Sequence, residues 1–306
     1  MKALTETCKK FKTICEPRLV LRLDFDRIRG NEAFPTITRA YKEISMVGEE
    51  VARNRMELKK VLRSSRDSVE TLFIGADPKK PGNKYCKINQ RTLLFILRYL
   101  PHVRELTINR VKVLLPRLKC EAIEPDEFPA LPNLRSLSLY KNYGVFESLK
   151  EVNSVIKLQI NAIKAFAKEG SQIDTFVKRQ SCLEVLKLDT FCYLEKNSLP
   201  NLREFDGEVD EMMSYRYLEG NNFPEGTLLD CAPNLENVTI RGIVQNGVVW
   251  RAPQFLIFAA TKSTKLKTLE YDGPMYDGFD LPRVCENYPS LIAFNSNNFN
   301  WQKLDL

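Results

Sequence analysis

The sequence predicts an α/β fold in which short parallel strands stack as the rungs of a solenoid. Three observations predict it. One apolar spacing recurs along most of the 306 residues, segments with helical periodicity lie between several of its copies, and polar loops separate others. A single copy cannot bury its own apolar face, so neighbouring copies must stack and share one core.

The spacing is clearest in LPNLRSLSLYKN, residues 131–142, where Leu134 and two further leucines precede Asn142 in the order L-x-x-L-x-L-x-x-N. This is the pattern of a leucine-rich repeat, whose leucines point into the core while the intervening residues point to the opposite face. The first anchors of the other clear copies are Val69, Val103, Leu183, Leu235 and Leu266, and those of weaker copies are Val155, Leu202 and Leu291. Successive copies lie 19 to 34 residues apart, which predicts a divergent array of about 11 irregular repeats over residues 17–306.

The predicted architecture is a curved horseshoe, with parallel strands on the concave face and helices or irregular segments on the convex face. Alternating apolar and polar residues predict the first strands in RLVLRLDF (18–25) and AYKEISMVG (40–48). Apolar residues at helical spacing predict helices over 48–66, 88–101, 171–180 and 252–263, the third capped by Ser171. A polar loop is predicted over 75–87 and a surface insertion within 207–230.

The charge is distributed unevenly. Residues 1–120 hold 27 Lys and Arg against 13 Asp and Glu, a balance of +14, whereas the rest of the chain is acidic and the total is +7. A basic region can attract acidic partners, including nucleic acid. Solvated lysines on helix faces are the more common cause of such a balance, so nucleic acid is not the expected partner.

The motifs of most enzymes and cofactor proteins are missing. His102 is the only histidine, no G-x-x-x-x-G-K-[ST] or G-x-G-x-x-G loop occurs, and the eight cysteines form no C-x-x-C pair. No run of about 18 apolar residues and no signal-peptide pattern is present. We therefore expect a non-enzymatic protein without cofactor, metal or membrane span, cytoplasmic or nuclear, with reduced, buried or half-buried cysteines.

The front of the chain carries a resemblance to a known family. Leu4, Cys8, Lys9 and Phe11 follow the spacing L-x-x-x-C-K-x-F, and Pro17 then precedes the first strand. A short helix, a proline and leucine-rich repeats in this order resemble the F-box/leucine-rich-repeat family, particularly its divergent arthropod members. A later strand, with Arg39, Tyr41, Lys42 and Ile44, has the same family look.

The resemblance implies the substrate-recognition part of an SCF (cullin–RING) ubiquitin ligase. Residues 1–16 then correspond to the last helix of an F-box, and the residues implied to contact the adaptor are Leu4, Cys8 and Phe11. The ligase adaptor and cullin are expected partners only if the rest of an F-box lies upstream. The alternative is a free-standing repeat scaffold or inhibitor without ligase attachment.

The concave face is the predicted partner-binding surface. Its side chains are of mixed polarity, which suits a protein or peptide better than a small molecule, since the latter needs a deep pocket. The residues predicted to bind the partner are Phe73, Asn109, Tyr140, Lys187, Asp189, Arg241 and Asp272.

Overall fold

The fold is seen in a computed structural model of the 306-residue chain. The residues it describes are 20–29, 41–51, 55–78, 84–115, 123–161, 167–189, 197–209, 232–242, 244–245, 248–249, 265–272, 285–286, 288–296 and 299–302. The chain divides into two compact units, Met1–Val155 and Ile156–Leu306.

The first unit is built on two parallel sheets. Its strands are β1 (Val20–Asp24), β2 (Glu43–Val47), β3 (Glu50–Val51), β4 (Thr71–Gly75), β5 (Cys86–Asn89), β6 (Glu105–Asn109), β7 (Val111–Leu114) and β8 (Ser136–Tyr140). The main sheet has the order β1-β2-β4-β6-β8, and a second sheet has the order β3-β5-β7. The helices are α1 (Phe25–Arg29), α2 (Arg55–Ser65), α3 (Gln90–Tyr99) and α4 (Val145–Ser148), with a 3-10 turn at Pro125–Glu127.

The second unit continues the same plan with one described helix, α5 (Ala167–Lys178). Its strands are β9 (Lys157–Asn161), β10 (Val185–Leu188), β11 (Glu204–Val209), β12 (Asn237–Gly242), β13 (Val244–Gln245), β14 (Val248–Val249), β15 (Thr268–Asp272), β16 (Ala293–Ser296) and β17 (Phe299–Gln302). The main sheet runs β9-β10-β11-β12-β15-β16-β17 and is parallel except for its last pair, while β13 and β14 form an antiparallel pair. The α/β class with large parallel sheets is therefore confirmed.

Equivalent positions of neighbouring strands face each other in both main sheets. Leu72 pairs with Leu106, which in turn pairs with Leu137. The apolar anchors predicted from the repeat are buried, so the prediction of which residues face the core is confirmed. Phe205 is the exception, because it is only half-buried. A Cβ at Gly207 would lie 2.5 Å from its Cζ, so the Phe205 ring fills the space of the next anchor.

A further buried position precedes the first anchor by three residues. The amide of Leu134 donates to the carbonyl of Leu131, and the amide of Leu202 donates to that of Leu199, at 3.0 and 3.2 Å. Leu131 and Leu199 are both buried. In these two repeats the chain therefore enters its strand through a tight turn with an apolar residue at both ends, whereas buried Gln180 takes the first of these positions before Leu183.

Backbone hydrogen bonds repeat at the start of the strands. The carbonyl of Glu70 accepts the amides of Arg104 and Glu105, at 2.7 and 3.0 Å. In the second unit the carbonyl of Arg203 accepts the amides of Glu236 and Asn237, both at 2.9 Å. One carbonyl thus satisfies two amides of the next repeat, and this fixes the register of the following strand.

Asparagine side chains also join neighbouring repeats. Asn133 Nδ2 donates to the carbonyl of Pro101 at 3.2 Å, and Asn201 Nδ2 donates to that of Ser181 at 2.8 Å. At the other end of the strand, Asn142 Oδ1 accepts the amide of Val111, and its Nδ2 donates to the carbonyl of Ile108, both at 2.8 Å. The final Asn of L-x-x-L-x-L-x-x-N therefore satisfies two backbone groups of the preceding repeat.

The predicted helices are confirmed in one case and corrected in two. The helix predicted over 88–101 is α3, where Asn89 Oδ1 caps the amide of Arg91 at 2.9 Å. The helix predicted over 48–66 begins only at Arg55, because Val51 pairs with Ile88 in a parallel strand. The helix predicted over 171–180 begins earlier, at Ala167, so Ser171 lies inside it and is not its cap.

Other expectations are corrected locally or fall outside the described residues. Cys86 and Lys87, predicted within a loop, begin β5, and Cys182 is exposed although it was expected to be buried or half-buried. Three of the segments with sequence-based expectations lie wholly or mostly outside the described residues, namely 1–16, 207–230 and 252–263. In the part of the chain that the structure describes, no helix is long and apolar enough to cross a membrane.

Candidate functional site

The side chains that alternate with the buried anchors form one surface in each unit. We call these surfaces the first and the second polar face. The first consists of Arg22, Asp24, Ser45, Phe73, Thr107, Asn109, Ser138 and Tyr140, and the second of Gln159, Asn161, Lys187, Asp189, Asp206, Thr239, Arg241, Glu270 and Asn295. Strand periodicity produces them, since successive side chains point to opposite sides of a sheet.

Three of the predicted binding residues lie close together on the first polar face. Phe73 pairs with Thr107, and Asn109 pairs with Tyr140 on the next strand. Phe73, Asn109 and Tyr140 are all half-buried, so each presents part of its side chain to solvent. The strand register therefore places these three residues on one surface of this unit.

Gly75, which has no side chain, lies next to these residues in the sheet. It pairs with Asn109 and has φ of 155°, a conformation that side chains strongly disfavour. A Cβ at this position would lie 2.0 Å from the carbonyl oxygen of Asn109. Only glycine fits here, and the close approach of the two backbones determines where Asn109 and Tyr140 lie.

An ion pair lies beside these residues. Arg22 NH2 lies 2.6 Å from Asp77 Oδ2, and the carboxylate is 7% exposed while the guanidinium is 39% exposed. Arg22 shares its row with Phe73, through the register of the intervening strand. Sequence reasoning missed Asp77 because it lies in a segment rich in Gly, Pro and Lys that predicted only a polar loop.

The second polar face is centred on Arg241. Its NH2 atom lies 2.8 Å from Asp189 Oδ1 and 2.8 Å from Asp206 Oδ1, and its Nε donates to the same Asp206 oxygen at 3.0 Å. The other oxygen of Asp189 accepts Asn161 Nδ2 at 2.5 Å. Side chains of four successive strands are therefore joined in one hydrogen-bonded cluster.

Lys187 adds a second cation to this cluster at longer range. Its Nζ lies 3.7 Å from Glu204 Oε1 and 3.7 Å from Asp206 Oδ2. These distances exceed the usual hydrogen-bond range, so Lys187 contributes charge compensation and little directional bonding. Asp206 thus lies between two cations.

The electrostatics of Arg241 follow from its surroundings. Partial burial acts to lower the pKa of the guanidinium, but the nearby carboxylates of Asp189 and Asp206 outweigh it, and the pKa is raised. The Arg241 guanidinium therefore stays protonated and positively charged at every ordinary pH. We conclude that Arg241 positions the two carboxylates and limits their freedom to move.

Three of the four binding residues predicted for this unit lie together in the structure. Lys187, Asp189 and Arg241 belong to the cluster described above. The backbone of Asp272 pairs with Arg241, but its side chain lies outside the described residues. Sequence reasoning missed Asn161, although it follows its last anchor as Asp189 does in the next repeat. The predicted adaptor contacts Leu4, Cys8 and Phe11 also lie outside the described residues.

The two faces provide hydrogen-bonding groups and charge. Within the described ranges, no three His, Cys, Asp or Glu side chains are grouped as metal ligands. His102 is exposed and precedes β6. A scan against protein-family models found no match, and a search of curated proteins found no significant relative.

Proposed function

We propose that this chain is a leucine-rich-repeat protein that binds a protein partner through its polar faces. The observation that carries the repeat assignment is Asn142. It ends the L-x-x-L-x-L-x-x-N motif, and both of its amide atoms bond the backbone of the preceding repeat. The buried anchors and the parallel register of the repeat strands that the structure describes support the same assignment.

The polar faces support protein binding over small-molecule binding. They combine half-buried rings, amides and ordered ion pairs on regular strands, so their side chains are held in place before a partner arrives. A surface that is already ordered loses less conformational entropy on association. Rigid aromatic residues such as Phe73 and Tyr140 are the best candidates for the strongest contacts.

We further propose that the partner is a substrate for ubiquitin ligation. The support for this step is the sequence resemblance of Leu4, Cys8 and Phe11 to the end of an F-box. In this role the chain is the substrate-recognition part of an SCF ligase, which works without a catalytic residue of its own. The adaptor and the cullin are then partners if the rest of an F-box lies upstream.

The test is co-purification with the ligase adaptor and cullin. The 306-residue chain is compared with a form extended upstream in the genomic reading frame, and a Leu4→Asp, Phe11→Asp variant of the extended form is the control. We expect the extended form to capture both proteins and the variant to capture neither. If no form captures them, the ligase proposal fails, and a free-standing scaffold or inhibitor becomes the better account.

A further inference from the structure

A basic groove lies between two helices of the first unit and shares no residue with the first polar face. Helices α2 and α3 pack against each other and enclose about 880 Å³ between their outer faces. The groove is lined by Lys59, Arg63, Arg66, Arg91, Leu94, Phe95, Arg98, Tyr99 and Glu127. Five cations face one carboxylate there, so the groove carries a strong positive field.

The cations form two rows. Lys59, Arg63 and Arg66 are four and three residues apart, which places them on one side of α2 and the turn that follows it. Arg91 and Arg98 are two helical turns apart on α3. All five side chains are exposed. The charges therefore lie about one helical turn apart, roughly 5–6 Å, in the α2 row and about two turns apart, roughly 10–11 Å, in the α3 row.

Within the described ranges, most of these cations have no carboxylate as counter-ion. Neighbouring Lys60 on the same helix pairs with Glu57 at 2.8 Å. Among the described residues, by contrast, no carboxylate lies within ion-pair distance of Arg63, Arg66 or Arg98. Like charges held side by side repel each other, so an anionic ligand would relieve an unfavourable arrangement.

Two aromatic rings line the groove beside these cations. Phe95 and Tyr99 are one helical turn apart on α3, with ring centroids separated by 4.7 Å and a tilt of 47°. Both are half-buried and both line the groove. Neither ring belongs to the repeat anchors, so packing of the core does not require them at these positions.

We propose that this groove binds single-stranded nucleic acid. Its cations contact successive phosphates, and the rings of Phe95 and Tyr99 stack on bases. A basic groove that follows the backbone, together with aromatic side chains, is the arrangement by which proteins bind single strands without sequence preference. The abundance of arginine suits phosphate, because the guanidinium can donate two parallel hydrogen bonds to one phosphate.

An acidic peptide is the main competing ligand, and the groove favours it less. Arginine clusters can bind acidic motifs, but tight peptide binding usually also needs pockets that bury apolar anchors. Leu94 is already buried within the protein, which leaves the two rings as the main accessible apolar surface. The positive charge balance of residues 1–120 suits both nucleic acid and an acidic peptide. The Phe95 and Tyr99 rings favour nucleic acid, because they can stack on bases.

The experiment is fluorescence anisotropy of the full chain with a labelled oligouridine RNA at increasing salt. We expect an association constant whose logarithm falls linearly with the logarithm of salt concentration, with a slope of about −3.5 if all five cations of the groove contact phosphates. Arg66→Glu with Arg98→Glu is expected to weaken binding at least about tenfold. Lys112→Glu with Lys141→Glu makes the same change of charge at exposed positions outside the groove and is expected to change affinity less than about twofold.

The aromatic ring supplies the second readout. Tyr99→Ala is expected to weaken RNA binding about tenfold, while Tyr99→Phe keeps the ring and binds as the unchanged protein does. A labelled polyglutamate peptide is the parallel probe. If polyglutamate binds as tightly as the RNA and is insensitive to Tyr99→Ala, the ligand is an acidic protein segment and the proposal is wrong. Absence of RNA binding at low salt, or binding unaffected by Arg66→Glu with Arg98→Glu, also overturns it.

Discussion

The two polar faces arise from the same repeat and differ in chemistry. The first is dominated by neutral groups around Phe73, Asn109 and Tyr140, with bare backbone at Gly75. The second is dominated by charge, with Arg241 held between two carboxylates. The anchors of both units follow the same spacing, so the core does not impose this difference.

The difference has consequences for binding. A partner that covers the first face removes rings and amides from water at low cost, because few charges must be desolvated. A partner that covers the second face meets charges that are already paired within the protein. It gains binding free energy only where its own contacts are more favourable than those ion pairs. We therefore expect affinity to come mainly from the first face, and selectivity from the second.

The largest expected effect is that of Gly75→Ala. The added Cβ meets a backbone carbonyl at 2.0 Å and the residue has φ of 155°, so neither a rotamer change nor a small shift relieves the clash. We expect the free energy of unfolding to fall by at least about 4 kcal/mol, measured by urea denaturation. Gly144→Ala is the control, since φ there is 69° and the nearest atom lies at 3.4 Å. Its expected cost is about 1 kcal/mol, and equal costs would contradict this account of the first face.

Gly207→Ala is the matched change in the second unit, with a smaller expected effect. Here the added Cβ meets the Phe205 ring at 2.5 Å, and a half-buried side chain can move. We expect a loss of about 2 kcal/mol in the same denaturation experiment. Adding Phe205→Leu removes the obstructing ring, so the double variant should recover part of the loss. Strictly additive effects would show that the ring does not occupy this space.

Arg241→Met tests whether the charged cluster stabilises the second face. The change leaves Asp189 and Asp206 without their common cation, and because the side chains are partly exposed we expect a loss of about 1–2 kcal/mol. Lys187→Met is the control, with an expected loss below about 0.5 kcal/mol because its contacts are longer. In a double-mutant cycle, Asp189→Asn should lessen the cost of Arg241→Met. Independent effects would mean that the pair observed at 2.8 Å contributes nothing to stability.

The smallest effect concerns two thiols, one in each unit. Burial raises the pKa of Cys86 to about 12, whereas Cys182 is exposed. Since the thiolate is the reactive form, iodoacetamide at pH 8 should alkylate Cys182 readily and Cys86 only after denaturation. Peptide mass spectrometry of the alkylated chain measures both sites. Equal labelling of the native protein would show that β5 does not enclose Cys86 as described.

Residue periodicity predicted the core well because the anchors are local and their spacing is strict. Leu72, Leu106 and Leu137 could be assigned to the core from their spacing alone, and strand alternation then placed Phe73 and Tyr140 on the other face. The start of the first long helix was harder to predict. Val51 looked helical in sequence, but pairing with Ile88 in the second sheet places it in a strand.

Contacts between distant residues were not predictable from the sequence. The Arg22–Asp77 pair joins residues 55 positions apart, and neither has a neighbour that signals it. The sequence indicated only one of the two rows of cations that line the basic groove. The spacing of Lys59, Arg63 and Arg66 indicates one helical side, but that α3 brings a second row beside it depends on how the two helices pack.

The most direct test of partner binding through the polar faces is site-specific photo-crosslinking. A benzophenone amino acid replaces Ser138 on the first face or Thr239 on the second, and Lys112, exposed on the other sheet, is the control position. After irradiation in cell extract, we expect a protein to be captured from at least one of the two face positions, Ser138 or Thr239, and to be absent from the Lys112 sample. Capture of that protein from Lys112 alone would contradict the account.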